Sequence, residues 1–524
     1  MSQLTTSLSA QIVVSSDKVW RWQSELVDAL TLSGLIQVSD VISNQQTSLK
    51  ESRVISVLHK LDGAIFRSPL NSFELVSAQS LTNEPNSAVG ADLPDIIINF
   101  SEEFIDKALL EKCRLGVVDM HFGAVGQLSS QYLAVKEYLH NKKQVSLALL
   151  MTNSNAEISV LSELKPSLDK GSLTRNMTQY FRLIEAAWKR SLSALANDAA
   201  PISESINKES TVSTQIAPNI SLGDIARLAQ RFTANVASKL SQKYRQTEQW
   251  VLLLQMREAS QSAEQPLSFD KYIELIPPAD VFWADPFVVS EAGKHYVFFE
   301  ELPFATEVGH LSCMKVFPDG SYSQPKVILK QPYHLSFPNV FKHDGEYYMI
   351  PETGDHGAIE LYHCTDFPYQ WERKHTLIND IHAYDSTLLA RDGKWWLFAT
   401  VAAEAGMSGN EELHIFYADS PTSNKWQAHR ANPVISDASC ARPAGQIFEF
   451  EGESFRPSQD CAGHYGAGLN INKIIRLSTD EYAEELVTCC RPDWKNDLIA
   501  LHTLNFNQKV AVADALRVTS KGVF

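Results

Sequence analysis

The pattern of apolar and polar positions along the chain changes character twice. Through about residue 195, short apolar runs alternate with stretches of helical spacing. Gln11-Ile-Val-Val14 reads as a buried strand, after which Val19, Trp22, Leu26 and Leu30 recur at the spacing of one helix face. Further strands are predicted at Leu35–Val38, Asp95–Phe100, Gly116–Met120 and Val145–Leu150, with helices over Glu102–Lys112 and Thr174–Leu195. Strands alternating with helices predict a doubly wound parallel sheet, hence an α/β Rossmann-like domain over residues 1–195. The next stretch is rich in Ser, Asn and Glu and carries Pro201 and Pro218, a composition that cannot bury a core. Ser221 and Asp224 then open a helix in capping-box spacing, so residues 196–246 read as a polar linker and connecting helix.

From residue 247 to 524 the pattern becomes short strands, aromatic residues and turn glycines. Segments beginning at Ala284, Phe337, Tyr384 and Arg442 repeat one layout: a polar opening, an apolar strand, a glycine (Gly293, Gly345, Gly393, Gly452) and a second strand. The glycines recur about every 48 to 59 residues, the length of one four-stranded propeller blade. The stretch accommodates five blades. Gln249–Met256 and Val510–Val518 are the predicted strands that close the ring. The fold class is therefore multidomain: an α/β domain followed by a five-bladed β-propeller.

Composition narrows the function. A formal net charge of −16 argues against a nucleic-acid surface, which requires clustered Lys and Arg. No window reaches the ~18–20 apolar residues of a membrane span, and the first residues lack the pattern of a secretory signal. The seven cysteines show no ligand spacing for zinc and no disulfide framework. The expectation is a cytoplasmic protein with no metal dependence, although a structural ion in the propeller channel is compatible with the pattern.

Inner strands of a propeller begin at the mouth of its channel, so Asp285, Asn339, Asp385 and Arg442, which open successive repeats, are expected to converge there. Trp283-Ala-Asp-Pro-Phe287 and Tyr384-Asp-Ser-Thr-Leu388 resemble the Asp-bearing strands of family 43 and family 32 glycoside hydrolases. With Phe337-Pro-Asn-Val340, Met349-Ile-Pro-Glu352, Ala441-Arg-Pro-Ala-Gly445 and Arg456-Pro-Ser-Gln-Asp460, the run is similar to the propeller of plant glucosamine inositolphosphorylceramide transferases. The glycosidase resemblance implies Asp285 as base or nucleophile and Asp385 as its orienting partner. Where the hydrolase pattern has an acidic Glu, this chain has Arg442, so the proton donor must come from Glu352, Glu300 or Asp460. Arg442 and Arg456 suit a planar carboxylate or phosphate, Asn339 and Asp460 join them as substrate-binding candidates, and Trp283, Phe337 and Tyr465 are candidates to stack on a sugar.

In the N-terminal half, Pro94-Asp-Ile-Ile-Ile-Asn-Phe100 followed by Gly116-Val-Val-Asp-Met-His-Phe-Gly123 resembles a formyltransferase domain. His121 matches that family's histidine, whereas Asp119 stands where its Asn polarises the formyl carbonyl, and the later Asp-x-Gly is missing. The resemblance implies a degenerate domain. The leading reading is a carbohydrate-active protein that acts on a glycosidic bond of a sugar or glycoconjugate in surface-glycan metabolism. The alternatives are an N-formyltransferase of an amino sugar, which alone would need a formyl-folate, and a non-catalytic glycan-binding partner of a separate glycosyltransferase.

Overall fold

The structure is a computed structural model, and it describes residues 7–43, 53–66, 74–81, 93–101, 107–123, 130, 133–197, 221–257 and 269–520. The chain divides into two units, Met1–Val236 and Ala237–Phe524. Most of the polar segment after residue 196 lies outside the described residues.

The first unit holds a six-stranded sheet of β1 (Leu8–Val14), β2 (Ile36–Ser43), β3 (Ile96–Phe100), β4 (Gly116–Phe122), β5 (Leu147–Thr152) and β6 (Ile158–Leu164), in the order β2-β1-β3-β4-β5-β6. Strands β1 to β4 pair parallel; β3 and β4 are nearly continuous in buried apolar residues and β1 largely so, as strands covered on both faces must be, whereas the edge strand β2 buries only Ile36. The expected all-parallel sheet is corrected at one edge, where β5 and β6 run antiparallel. The cause is local. Only Asn153–Glu157 join β5 to β6, and the Asn153 side chain accepts from the Asn155 and Glu157 amides, which makes a reversing turn.

Two helices also differ from the sequence reading. The first runs Arg21–Leu32, because Val19 belongs to a short strand, Lys18–Trp20, that pairs with Leu75–Ser77. The Gln23 side chain then takes the Trp20 amide and starts the helix there. The helix Arg53–Phe66 was not foreseen. Its buried Asp62 accepts from Ser172, Thr174 and the Thr174 amide at 2.5–2.9 Å, tying it to the start of the helix Leu173–Ala196. The helix Leu222–Arg245 opens with the reciprocal bonds of a capping box between Ser221 and Asp224. Among the described residues, no helix is long and apolar enough to cross a membrane.

The second unit is a five-bladed propeller. Blade 1 comprises Val281–Glu291, Lys294–Pro303, His310–Val316 and Lys326–Leu329; blade 2 comprises Ser336–His343, Glu346–Glu352, Ala358–Asp366 and Gln370–Asn379. Blade 3 is His382–Arg391, Lys394–Ala402, Glu412–Ala418 and Gln427–Ala428; blade 4 is Phe448–Phe450, Glu453–Asp460, Gly468–Leu477 and Tyr482–Cys490. Blade 5 joins the two ends of the unit: Leu498–Ala500 and Leu504–Phe506 are its inner strands, Val510–Ser520 the next, and Gln246–Met256 and Ile273–Leu275 the outer ones. Eleven consecutive residue pairs from Val510–Met256 to Ser520–Gln246 close the ring.

The repeat glycines have a conformational origin. Ala292-Gly293, Asp344-Gly345, Asp392-Gly393 and Glu451-Gly452 each put two residues in succession at positive φ, the two-residue turn that suits the twist of a hairpin. A Cβ on any of these glycines would meet nothing within 4 Å, so backbone conformation alone selects the residue.

The blades are stitched together around the channel. Asn339 of blade 2 donates to the Ser386 carbonyl of blade 3 (3.0 Å), Thr387 of blade 3 to Gly445 at the approach to blade 4 (3.3 Å), and Asn505 of blade 5 to Pro286 of blade 1 (2.8 Å). Asn505 also accepts from the Gln446 amide (2.7 Å), and Phe287 of blade 1 rests edge-on against Phe337 of blade 2, with ring centroids 4.8 Å apart. Blades 1, 2, 3 and 5 thus each spend an inner-strand side chain on a neighbour, and blade 4 is joined to blade 5 through the Gln446 amide.

Candidate functional site

Three inner strands carry the same irregularity. Pairing with the second strand skips between Ala284 and Phe287, between Ser336 and Asn339, and between Tyr384 and Thr387. The residues at the start of these bulges, Asp285, Phe337 and Asp385, all have positive φ, a strained state for residues that carry a Cβ. The bulge re-aims Asp285 and Asp385 away from the ladder. It also corrects the sequence alignment: Phe337, not Asn339, is the blade 2 equivalent of the two aspartates, and Asn339 sits two residues on, in the inter-blade stitching.

Asp385, Glu352 and Arg442 form one cluster. Arg442 Nε donates to Asp385 at 2.6 Å, one terminal nitrogen to Glu352 at 3.2 Å and the other to Asn410 at 3.2 Å. Its guanidinium lies between the rings of Tyr384 and Tyr465, 5.3 and 5.1 Å from their centroids. Gln459 donates to the same Asp385 oxygen at 2.8 Å. Arg442 therefore compensates two buried carboxyl groups rather than standing free for an anionic ligand. Burial pushes the Glu352 carboxyl well above the usual carboxylate range, Asp385 adds to the shift and Arg442 opposes it.

Asp285 stands in a second cluster, built largely by blade 5. Its carboxylate accepts from Thr503 at 2.7 Å, and its backbone amide donates to Asp514 at 2.9 Å. His502 Nδ1 lies 2.7 Å from Asp514 and 3.7 Å from Asp285. Its ring stacks on Trp250 at 3.9 Å, and Tyr465 meets it edge-on at 5.3 Å. Burial pushes the Asp285 carboxyl up to about 7; His502 opposes the shift, while Asp385, Glu300 and Asp514 add to it. For His502 burial works against the charge, but Asp514, Asp285 and Asp385 outweigh it and raise the imidazole to about 9. Donor atoms of Asp285, His502 and Asp514 lie within 4.8 Å of one another, the reach of a metal-binding set. Here the His502 charge and the Thr503 hydroxyl already satisfy the carboxylates, so these side chains form a closed ion cluster.

The structure thus brings together Asp285, Asp385, Glu352, Arg442 and Tyr465 from the sequence-predicted set, with Glu300 near enough to act on Asp285. It does not bring Arg456, Asp460, Trp283 or Phe337. Arg456 is wholly buried and holds Glu484 through two bonds of 2.6–2.7 Å, with the Ala441 and Cys440 carbonyls taking the rest of its donors. Asp460 is bound to Arg491 and to the Ala462 amide. Trp283 and Phe337 are core residues, packed on Phe299 and Phe287 respectively. Sequence reasoning missed Trp250, Gln459, His502, Thr503 and Asp514. Leu501-His-Thr-Leu-Asn-Phe506, which repeats the Ser-Thr-Leu layout of blade 3, was the signal for the fifth blade's share.

In the first unit Asp119 and His121 lie on β4. Asp119 accepts from Asn99 on β3 at 2.5 Å, and burial pushes its carboxyl up to about 7 against that bond. Burial lowers His121 to about 4.

Residues 271–497 match the family model described as glucosamine inositolphosphorylceramide transferase 1, N-terminal. Over 206 residues the chain is 38% identical to glucosamine inositolphosphorylceramide transferase 1 of Oryza sativa subsp. japonica and 34% identical to that of Arabidopsis thaliana. Each match covers 39% of this chain and 27% of the relative, so the chain spans about a quarter of the length of the curated relatives it matches. Solved structures similar to it include Zg3597, a family 117 glycoside hydrolase of Zobellia galactanivorans (12% identity, 52% of this chain and 90% of that one, TM-score 0.33). An exo-1,5-alpha-L-arabinanase from a bovine ruminal metagenomic library is another (14% identity, 47% and 95% covered, TM-score 0.31).

Proposed function

We propose that the propeller binds a sugar or glycoconjugate at its channel mouth and acts on a glycosidic bond there. The observation that carries this reading is the pair of carboxyl groups with raised proton affinity, Glu352 and Asp285, on either side of a shared Asp385 field. Glycosidic chemistry needs one carboxylic acid to protonate the leaving oxygen and one carboxylate to act as base or nucleophile. Glu352 supplies the acid. Asp285, whose Thr503 bond favours its charged form, supplies the base or nucleophile. Asp385, pinned by Arg442 and Gln459, orients the substrate and keeps Glu352 protonated. The similarity of this segment to proteins named glucosamine inositolphosphorylceramide transferase 1 favours a glycoconjugate as the bound species.

A second reading, a glycan-binding partner of a separate glycosyltransferase, is favoured by one observation: the matched family segment is the N-terminal part of much longer relatives. Asp285→Asn and Glu352→Gln distinguish the two. Asn tolerates the left-handed backbone at 285, so the first change removes charge with little added strain. Under the catalytic reading each variant binds glycan and loses turnover by about 10² or more. Turnover of a glycoside panel that both variants retain would refute the assignment, and binding without turnover in the wild type would favour the partner.

A further inference from the structure

We propose that Glu300 is a further substrate-contacting carboxylate of the same site, accepting a hydroxyl of the bound sugar, and that His334 is the positioning residue that aims it. The inference rests on the channel-mouth reading and adds a residue to it. Three observations carry it.

The first is register. Glu300 pairs with Ala284, Glu352 with Ser336 and Thr400 with Tyr384, and each of these partners immediately precedes the left-handed bulge residue of its blade. Glu300 and Glu352 are therefore the same position of successive blades, presented at the same depth of the channel. What the repeat does with Glu352 in blade 2 it does with Glu300 in blade 1.

The second is an open hydrogen-bonding capacity. Glu300 is only 5% exposed, and its Oε1 is buried without a hydrogen bond of good geometry. Among the described residues no Lys or Arg pairs with it. The donor within reach is His334, whose Nε2 lies 3.1 Å from that oxygen. That N–H faces the closed-off Oε1, and the carboxylate's other oxygen is left to accept from a ligand.

The third is a built support. Nδ1 of His334 accepts from the Gly309 amide at 3.1 Å, so the proton sits on Nε2 and faces Glu300. Gly309 is confined by both groups: a Cβ there would stand 2.7 Å from Glu300 Oε1 and 2.8 Å from His334 Cε1. The backbone therefore closes on the pair at this side. A sugar hydroxyl that donates to the carboxylate would make a charge-assisted bond.

The test uses the full chain and methyl glycopyranosides of glucose, galactose, mannose and N-acetylglucosamine, titrated by calorimetry, followed by the monodeoxy analogues of whichever binds. The expected result is that one analogue binds the wild type roughly ten-fold or more weakly than its parent. Glu300→Gln should erase that difference while keeping the wild-type melting temperature. His334→Phe should erase most of it, and His334→Gln, which restores a donor at the place of Nε2, should recover it. A parent sugar that binds, depends on Asp285, and has no analogue penalised overturns the role of Glu300 alone. So does a penalty that survives Glu300→Gln. Failure of every glycoside to bind overturns this inference together with the channel-mouth reading.

Discussion

Replacing Arg442 by Met tests how the channel cluster is held together. The guanidinium is about 90% buried and makes three side-chain bonds, two of them to carboxyl groups. Methionine keeps much of the packing volume between Tyr384 and Tyr465 but leaves Asp385 and Glu352 facing each other uncompensated. Breaking a buried pair from one side costs about 3–5 kcal/mol. For a unit of this size each kcal/mol corresponds to roughly 1.6 °C, so the propeller transition should fall by about 5–8 °C. The loss should depend on pH. Burial and Asp385 already raise the Glu352 carboxyl, and without Arg442 the charge that opposes this shift is gone. The penalty is then smallest below the unfolded glutamate pKa of about 4.3 and grows as pH rises towards the folded value. Adding Asp385→Asn removes one of the opposed charges and should recover part of the stability, a non-additivity of at least about 1 kcal/mol. Calorimetric melts of the wild type, both single variants and the double variant at pH 5 and pH 8 supply the cycle. A loss below about 1 kcal/mol at pH 8, or an additive cycle, would refute the view that Arg442 is there to compensate the two acids.

Three further outcomes follow from other parts of the molecule. His502, raised to about 9, contributes stability that is full below its unfolded pKa near 6.5 and is lost as pH rises through 9; melts from pH 6.5 to 9.5 should show up to about 3 kcal/mol of it, and His502→Gln should flatten the slope. Gly393→Ala adds only a left-handed Cβ with nothing near it and should cost about 1–2 kcal/mol, whereas Gly445→Ala drives a Cβ to 2.1 Å from the Leu504 carbonyl and should cost more than about 3 kcal/mol in denaturant melts. Titrating the chain with a formyl-folate should give no saturable heat, and specific binding lost in His121→Ala would overturn the degenerate reading of the first unit.

The propeller was legible because its signals are local and repeated. Each two-residue turn needs a glycine for backbone reasons alone, so Gly293, Gly345, Gly393 and Gly452 mark the hairpins whatever packs around them. Asp285, Asp385 and Arg442 could be placed because the repeat carries them to one end of the inner strands. Asn339 was misaligned because polarity was matched instead of the bulge, which Ala284-Asp-Pro and Ser336-Phe-Pro announce through their shared proline. The Asp285–His502–Asp514 cluster stayed hidden since blade 5 is split between the two ends of the unit and its repeat is incomplete in the sequence. In the first unit, burial on both faces gave β1, β3 and β4 their apolar runs, but apolar runs carry no strand direction. β5 reverses against β4 across residues 123–146 and β6 against β5 across five residues, and the mixed pattern of Ile158–Leu164 concealed that last strand.

The closure of the ring between Gln246–Met256 and Val510–Ser520 has a consequence for synthesis on the ribosome. The strand bearing Trp250-Val-Leu-Leu-Leu254 emerges first, and its partner is among the last segments of the unit to be made. At ~5–20 residues per second the interval is on the order of 15–50 s. Throughout it an apolar strand lacks the edge that will cover it, which is the condition under which nascent β-proteins pair with the wrong neighbour. The same contact that makes the finished ring gapless therefore makes the propeller a late, all-at-once folder, dependent on whatever shields that strand while the other four blades are being made.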